Sequence, residues 1–373
     1  MKTLLTIISI NLMLIINAQY KLSDPEATKE TVNLYKNLVK TQGNGYFVGH
    51  QDDLAYGVYW KYQEGKSDVK DVVKDYPAVY GWELGNLELG KDKNLDGVPF
   101  DKMKQYIQEG YERGGIITIS WHTNNPITGK NAWDSSNQSI KEILPEGSKN
   151  KILEDYLDKV AAFLIDLKGK NGEPIPILWR PFHEHTGTWF WWGVNSASDE
   201  EYKELFRFSV DYLRRTKNIH NLIIVYNTSV EYATPEEFLK RYPGDDYADI
   251  FSFDAYQRGR IEGGEKFSQQ LDTLLSAMNL ATKKHQKISA IGEIGYNKIP
   301  DKDWFTKVLK PVFDNHHFSY VLFWRNAGFK PDNNEVEYYL PFKGHPAEKD
   351  FIKFYKNKKT WFENDARNMK LYH

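Results

Sequence analysis

Eight short segments of the chain are rich in β-branched and aromatic residues, and most of their positions are apolar. Buried strands of a parallel sheet have this near-continuous apolar character, because helices cover both faces of such a sheet. The pattern therefore predicts eight strands, at 46–51, 79–84, 116–122, 175–181, 222–227, 250–256, 288–294 and 320–325.

Between these segments the apolar residues recur at intervals of three and four, which predicts amphipathic helices. The gap between the fifth and sixth strands holds only a short candidate. Strands that alternate with helices indicate an α/β fold, and eight such units predict a (β/α)8 TIM barrel. An open doubly wound sheet is the alternative, but no glycine-rich phosphate-binding sequence follows the first strand. The predicted helices are 23–40, 100–113, 149–167, 199–216, 235–241, 265–285, 302–315 and 345–356.

The first residues differ in composition from the rest of the chain. Lys2, an apolar run over 4–16 and the small residue Ala18 predict a secretory signal peptide over 1–18. The run is shorter than the ~20 residues of a membrane span, which argues against a transmembrane helix. The alternative is a buried N-terminal helix. No repeat, low-complexity tract or linker divides the remainder, so we expect one domain over 19–373. The protein would then be exported, to the periplasm or the medium.

The composition narrows the classes of partner. The chain has no cysteine, so an exported form would depend on its core rather than on disulfides. Because no cysteine is available for lipid attachment, we expect no membrane anchor after signal cleavage. We also expect a monomer. The net charge is −2, and the absence of a basic stripe argues against a nucleic-acid partner. Aromatic residues make up 15% of the chain, which leaves rings for a binding surface.

Polar, ionisable and aromatic residues collect at the carboxyl ends of the predicted strands. Barrel enzymes build their active sites at this end, and a purely structural barrel has no reason to concentrate such residues there. The pattern therefore predicts an enzyme. The strand-end residues are His122, Arg180, His183, Glu184, Asn227, Asp254, Tyr256, Glu293, Trp324 and Arg325.

Among the carboxylic acids of this set, two glutamates lie on opposite sides of the barrel mouth. Glu184 follows the fourth strand and Glu293 lies on the seventh. Paired carboxylates indicate glycoside hydrolysis, in which one protonates the leaving oxygen and the other supports the developing positive charge. Aromatic rings suit this chemistry because they stack on the apolar faces of sugars. The residues alone also allow either glutamate to be an ordinary structural carboxylate.

The segment RPFHEHTGTWFWWG, at 180–193, is similar to the acid/base signature of glycoside hydrolase family 26, whose best-known members are β-mannanases. The segments ISWHTNNPITGKNAWD, FDAYQ, IGEIGY and VLFWRNA resemble that family's other barrel motifs in the expected order, and GHQDDLAYG resembles its strand-one end. The resemblance covers about residues 40 to 330. It implies a single catalytic domain that hydrolyses mannan, glucomannan, galactomannan or manno-oligosaccharides with retention. A lichenase or xylanase of the same family and a non-catalytic carbohydrate-binding barrel stay open.

The resemblance also implies roles for individual residues. Glu184 resembles the acid/base and Glu293 the nucleophile. His183 stands where the wider clan has asparagine and, like His122, resembles a ligand of the sugar in subsite −1. Trp324 resembles the floor of that subsite.

Four further residues carry roles by the same resemblance. Arg180 is expected to pair with a catalytic carboxylate, and Tyr256 to hold the nucleophile in place. Trp189 resembles an aromatic platform on the leaving-group side. Arg325 resembles a residue that contacts the −2 sugar in some mannanases.

Two metal motifs can be weighed on spacing. His183 and His185 form an H-x-H pair, but the further ligands that a zinc barrel hydrolase carries are missing from the sequence. The segment 92–97 begins like a calcium loop, yet Met103 occupies the twelfth position, where such a loop needs a glutamate. We therefore expect no metal and no cofactor, and a polar turn at 92–97.

Cleavage mode depends on the long stretches at 85–99, 123–148 and 326–344. Loops of this length are usually functional. A wall beyond subsite −2 would give exo-like release of mannobiose, and an open cleft would give endo cleavage; we favour short products such as mannobiose. The adjacent Trp191 and Trp192 would face opposite ways in an extended segment, which makes one a candidate for the core and the other for the cleft.

Overall fold

The computed structural model describes residues 20–330 and 334–373, and the predicted signal peptide over 1–18 lies outside these ranges. Eight parallel strands pair in sequence order, and the first also pairs with the last, so the sheet closes into a barrel. This confirms the TIM barrel. The strands are β1 (Tyr46–Gln51), β2 (Val79–Glu83), β3 (Ile116–Trp121), β4 (Ile177–Pro181), β5 (Leu222–Thr228), β6 (Ile250–Tyr256), β7 (Ile288–Gly295) and β8 (Tyr320–Phe323).

Helices surround this barrel. Two of them are extended by π-helical turns, at Tyr212–Thr216 after the fifth helix and at Phe305–Leu309 before the eighth. The helices are α1 (Lys29–Thr41), α2 (Asp68–Val73), α3 (Phe100–Glu112), α4 (Asn150–Asp166), α5 (Asp199–Asp211), α6 (Pro235–Phe238), α7 (Gly264–His285), α8 (Lys310–Phe313), α9 (Glu348–Tyr355) and α10 (Glu363–Met369).

Helix boundaries follow from capping. The sequence predicts a helix from residue 23, but α1 begins later because the Thr28 hydroxyl accepts the N–H of Thr31 as an N-cap. Helix α5 begins at a capping box between Ser198 and Glu201. Helix α2 was not predicted, since six residues are too few for a helical period to stand out.

The core lies on both faces of the sheet. Every residue of β1, β3, β5 and β7 is buried, because side chains fill the barrel interior and helices cover its outside. The smaller elements are short 3-10 turns at Leu87–Leu89, Lys141–Ile143 and Ile261–Gly263, a strand at Thr360–Trp361 beside β1, and hairpins pairing Tyr56–Gly57 with Trp60–Lys61 and Gly328–Lys330 with Glu335–Glu337.

Candidate active site

Glu293 is held from two sides at the end of β7. Arg180, on β4, donates from Nη2 to Glu293 Oε1 and from Nη1 to Asp254 Oδ2 at 2.9 Å. The Tyr256 hydroxyl donates to Glu293 Oε2 at 2.5 Å. A carboxylate with a donor on each oxygen cannot rotate freely, so its orientation is set by its neighbours. The pairing expected for Arg180 and the contact expected for Tyr256 are both present.

Local backbone geometry brings these strands close together. The β6–β7 register shifts after Phe253, and Asp254 then lies opposite Glu293. A Cβ atom on Gly292 would lie 2.1 Å from Asn227 Oδ1, so only glycine fits immediately before Glu293.

Burial and neighbouring charges shift the pKa values of Arg180 and Asp254. Burial alone would lower the pKa of Arg180, but the carboxylates of Asp254 and Glu293 outweigh it and raise that pKa. Burial raises the pKa of Asp254 well above its usual value, although Arg180 acts in the opposite direction. The guanidinium is therefore a permanent cation against Glu293.

Glu184 lies in a different environment. Its carboxyl is half-buried, and burial together with the negative charge of Glu293 raises its pKa to about 7. The indole Nε1 of Trp189 donates to Glu184 Oε2 at 2.7 Å, which opposes this rise. A carboxyl with such a pKa is protonated in a large share of the molecules near neutral pH and can donate that proton.

The backbone around Glu184 is strained. Phe182 and Glu184 have φ of 47° and 52°, in the left-handed region that L-residues avoid. Neighbouring elements hold this conformation, since the Glu184 N–H donates to the Asn227 carbonyl at 3.0 Å and the Tyr202 hydroxyl donates to the Phe182 carbonyl at 3.2 Å. Because of these two φ values, the side chains of residues 182–185 do not alternate between two faces as they would in a regular strand.

A buried chain of polar groups joins β2, β3 and β4. Glu83 accepts from the His122 backbone N–H at 2.7 Å and pairs with His122 Nδ1 at 2.8 Å. Burial opposes a charge on His122, but the Glu83 carboxylate outweighs it and raises the pKa. Burial and then Arg180 lower the pKa of His183 well below its usual value. His122 Nε2 lies 3.1 Å from His183 Nε2, within hydrogen-bonding distance.

Glu184 and Glu293 lie in one cleft of about 670 Å³ at the carboxyl ends of the strands. Four other residues with roles predicted from the sequence line this cleft: His122, Trp189, Tyr256 and Trp324. Arg180 and His183 lie beneath it against Glu293, with His183 Nε2 4.0 Å from Glu293 Oε1. The arrangement combines a proton donor, an oriented carboxylate and sugar-sized aromatic walls.

The family model of glycosyl hydrolase family 26 matches residues 23–329. This chain belongs to glycosyl hydrolase family 26. A mannan endo-1,4-β-mannosidase of Bifidobacterium adolescentis is 33% identical over 89% of this chain and 34% of that protein. A mannan endo-1,4-β-mannosidase of Thermothelomyces thermophilus is 28% identical over 75% of this chain and 53% of that protein. The chain thus spans about a third and about half of these relatives' lengths.

A solved family 26 structure is similar over nearly the whole chain. The β-mannanase of Bacteroides ovatus has 42% identity and a TM-score of 0.88, covering 93% of this chain and 98% of that one. The catalytic domain of an endo-β-1,4-mannanase from Bacillus sp. JAMB-750 has 31% identity and a TM-score of 0.85, covering 95% and 96%.

The family 26 cleft contains residues to which sequence reasoning assigned no role. Trp133 is half-exposed in the loop after β3 and stacks on the His122 ring, with 5.2 Å between centroids. The sequence offered two signals for it, its place in a long strand-end loop and its position within the family-like segment ISWHTNNPITGKNAWD. Glu83 was likewise unassigned, although an acid that ends a barrel strand was visible in the sequence.

Trp191 and Trp192 both belong to the core, so the expectation that one faces the cleft was wrong. Each side chain is fully buried. Trp191 Nε1 donates to the Thr123 carbonyl at 2.9 Å and Trp192 Nε1 to the His183 carbonyl at 2.8 Å. The segment is a turn rather than a strand, and adjacent residues therefore do not alternate between two faces.

The two histidines of the H-x-H pair point into different surroundings. His185 is packed between the rings of Tyr202 and Tyr226, at 4.2 and 4.9 Å between centroids. Within the described residues, ligand atoms of His183, Asp254 and Glu293 do lie within 4.8 Å of one another. The Arg180 guanidinium already donates to both of those carboxylates, so a cation is present there.

Arg325 does not line the cleft itself but lies beside Trp324, which does, with its guanidinium 5.8 Å from that ring's centroid. Its guanidinium pairs with Asp96 Oδ1, and its Nε donates to Glu337 Oε1 at 3.0 Å. It therefore connects the loop after β2 to the loop after β8. The segment 92–97 is a polar turn, as predicted, in which Asn94 Oδ1 accepts the N–H groups of Asp96 and Val98.

Proposed function

We propose that this protein is a retaining β-1,4-mannanase that hydrolyses mannan, glucomannan or galactomannan by double displacement. The contrast between two carboxyl groups of one cleft carries this proposal. Arg180 and Tyr256 donate to both oxygens of Glu293, whereas burial and a neighbouring charge raise the pKa of Glu184 to about 7. Unlike environments for two carboxyls indicate an acid and a nucleophile.

In the first step Glu293 attacks the anomeric carbon while the bond to the leaving oxygen breaks. The proton of Glu184 moves to that oxygen, and a glycosyl ester with Glu293 forms. Tyr256 and Arg180 hold the attacking carboxylate in one orientation, which lowers the entropic part of the barrier.

In the second step water attacks the anomeric carbon and gives a proton to Glu184, while the ester bond breaks and Glu293 is restored. Burial is the larger cause of the raised pKa of Glu184, and repulsion by Glu293 adds to it; the ester carries no charge, so this repulsion is removed at this stage. The Trp189 N–H stabilises the ionised Glu184, whose Oε2 accepts it at 2.7 Å. The same residue can therefore act first as an acid and then as a base.

Similarity to relatives named mannan endo-1,4-β-mannosidases supports mannan as the substrate. His122 lines the cleft together with Trp133 and Trp324 and offers a polar group to a sugar hydroxyl, while His183 lies beneath the cleft with its Nε2 3.1 Å from His122 Nε2. Aromatic platforms with a few oriented polar groups are the usual design of a sugar subsite.

We also propose that the enzyme releases mannobiose in an exo-like mode. Arg325 is largely buried, and its pairs with Asp96 and Glu337 join two long loops beside Trp324. Ion pairs that join these two loops support a wall that closes the cleft on the side of β8. We further propose an exported, soluble, monomeric protein; the sequence over 1–18 supports the export. No helix of residues 20–330 and 334–373 is long and apolar enough to span a bilayer.

The decisive experiment is a time course of products from linear mannan and mannohexaose, with NMR of the first anomer formed. The β-anomer is expected first, and the Glu293→Ala variant should be inactive. Mannobiose from the start with little loss of viscosity would support the wall, and mixed oligosaccharides with a fast viscosity drop would contradict it. The α-anomer would contradict retention. Cleavage of lichenan or xylan but not of mannan would indicate a lichenase or a xylanase. Binding of these polysaccharides without any turnover would indicate a non-catalytic carbohydrate-binding barrel.

A further inference from the structure

The cleft continues past the catalytic carboxyls into a region that the two-step reaction does not use. It passes between the loop after β5 and the first turns of α7. The side chains that line this extension are polar and exposed at their tips: Glu231, Arg258, Lys266 and Gln270.

The direction of this extension identifies which part of a substrate it meets. Arg325 joins the loops after β2 and β8 on the opposite side of the barrel mouth. Glu184 must reach the leaving oxygen, so the leaving group lies on its side of the cleft. Strand β4, which precedes Glu184, is adjacent to β5, and β5 is adjacent to β6. The cleft also extends along the loops after β5 and β6, so the departing sugars run toward those loops.

Glu231 is fixed relative to the proposed proton donor. The Ser229 N–H donates to the Thr186 hydroxyl at 3.0 Å, and that hydroxyl donates to Glu231 Oε2 at 3.0 Å. Thr186 follows Glu184 by two residues, so this relay ties the carboxylate to the segment that carries the acid. Among the described residues, Glu231 Oε1 has no hydrogen-bond partner and is available to a ligand.

Helix α7 presents the facing groups. Lys266 and Gln270 are four residues apart, so they lie one above the other on the same face of the helix. The buried ring of Phe267 lies between them in sequence and also lines the cleft. The ammonium donates, and the amide both donates and accepts, which together with a carboxylate matches the mixed hydrogen bonding of sugar hydroxyls.

We propose that Glu231, Lys266 and Gln270 form a second leaving-group subsite, for the hydroxyls of a β-1,4-linked hexopyranose one unit beyond the sugar at Trp189. This subsite rests on the function proposed above. Its affinity comes from charge-assisted hydrogen bonds rather than from ring stacking. It makes long leaving groups better substrates than short ones.

The test compares two substrates whose leaving groups reach different distances along this side of the cleft. Mannotetraose cleaved in its middle places two sugars on this side, whereas 4-nitrophenyl β-mannobioside places one aromatic ring there. Glu231→Ala and the double variant Lys266→Ala/Gln270→Ala should each lower kcat/KM for mannotetraose about tenfold, the effect of one charge-assisted hydrogen bond. The aryl substrate should change less than twofold.

Matched controls are Glu236→Ala and Gln269→Ala, which remove an exposed carboxylate and an exposed amide outside the cleft lining. Both should behave as the parent does, and thermal melting should confirm that every variant is folded. An unchanged ratio of the two kcat/KM values in folded variants would overturn the subsite while the mannanase function stood. A parent that cleaves neither substrate would overturn both.

Discussion

The hydrogen bond from Trp189 to Glu184 should influence how kcat/KM depends on pH. Glu184, with its pKa of about 7, should set the basic limb of kcat/KM, because the first step needs its proton. The Trp189 N–H, 2.7 Å from Oε2, stabilises the ionised form and so holds that pKa down. Trp189→Phe keeps a ring but removes the donor, and the pKa of Glu184 should rise.

The size of the shift follows from the strength of the bond. A hydrogen bond to a charged group contributes about 1.5–3 kcal/mol, and one pKa unit corresponds to about 1.4 kcal/mol. Water reaches the half-buried Glu184 and replaces part of the lost bond, so we expect a rise of about one unit. The basic limb should therefore move from near pH 7 toward pH 8.

The assay is the pH profile of kcat/KM on mannotetraose, whose sugar leaving group must be protonated as it departs, for the parent, Trp189→Phe and Trp133→Phe. Trp133 lines the same cleft but has no bond to Glu184, so its variant should keep the parental limb while losing some affinity. A basic limb that stays in place, or moves to lower pH, in Trp189→Phe would refute the reasoning.

Three further changes test other contacts. Tyr256→Phe removes one donor from Glu293 and should lower kcat ten- to hundredfold without altering the melting temperature, as steady-state kinetics beside thermal melting would measure. Gly292→Ala would drive a methyl group against Asn227 and should destabilise the fold by about 1–3 kcal/mol in urea unfolding; an unchanged midpoint would contradict the close packing. Arg325→Ala should release the loops after β2 and β8 and raise the share of products longer than mannobiose from mannohexaose, and an unchanged product pattern would argue against the wall.

Most of the barrel could be predicted because its signals are local. An apolar strand and an amphipathic helix each show their period within one segment, and the order of segments limits the topology. The short helices escaped this reasoning: α2 has six residues, and α6 ends at Phe238 although a helix to 241 was expected. In such short pieces capping and tertiary contacts outweigh periodicity.

The candidate site was also partly visible in the sequence. Parallel strands carry their carboxyl ends to one rim, so residues such as Glu184 and Glu293 had to share it once the barrel was assumed. The family motifs then pointed to the partners Arg180 and Tyr256, whose contacts with Glu293 the structure contains. Position along a strand was enough to gather these residues.

The sequence by itself thus determined the barrel, its order of strands and the rim that carries the chemistry, because each depends on patterns within a segment. Only the tertiary structure decided which side chains meet across segments. Trp191 and Trp192 both turn into the core because of a loop conformation, and Arg325 finds one of its partners, Asp96, in a loop more than two hundred residues earlier. The fixed orientation of Glu231 likewise depends on a hydroxyl brought from another loop. Contacts of this kind follow from packing in three dimensions, which no local period encodes.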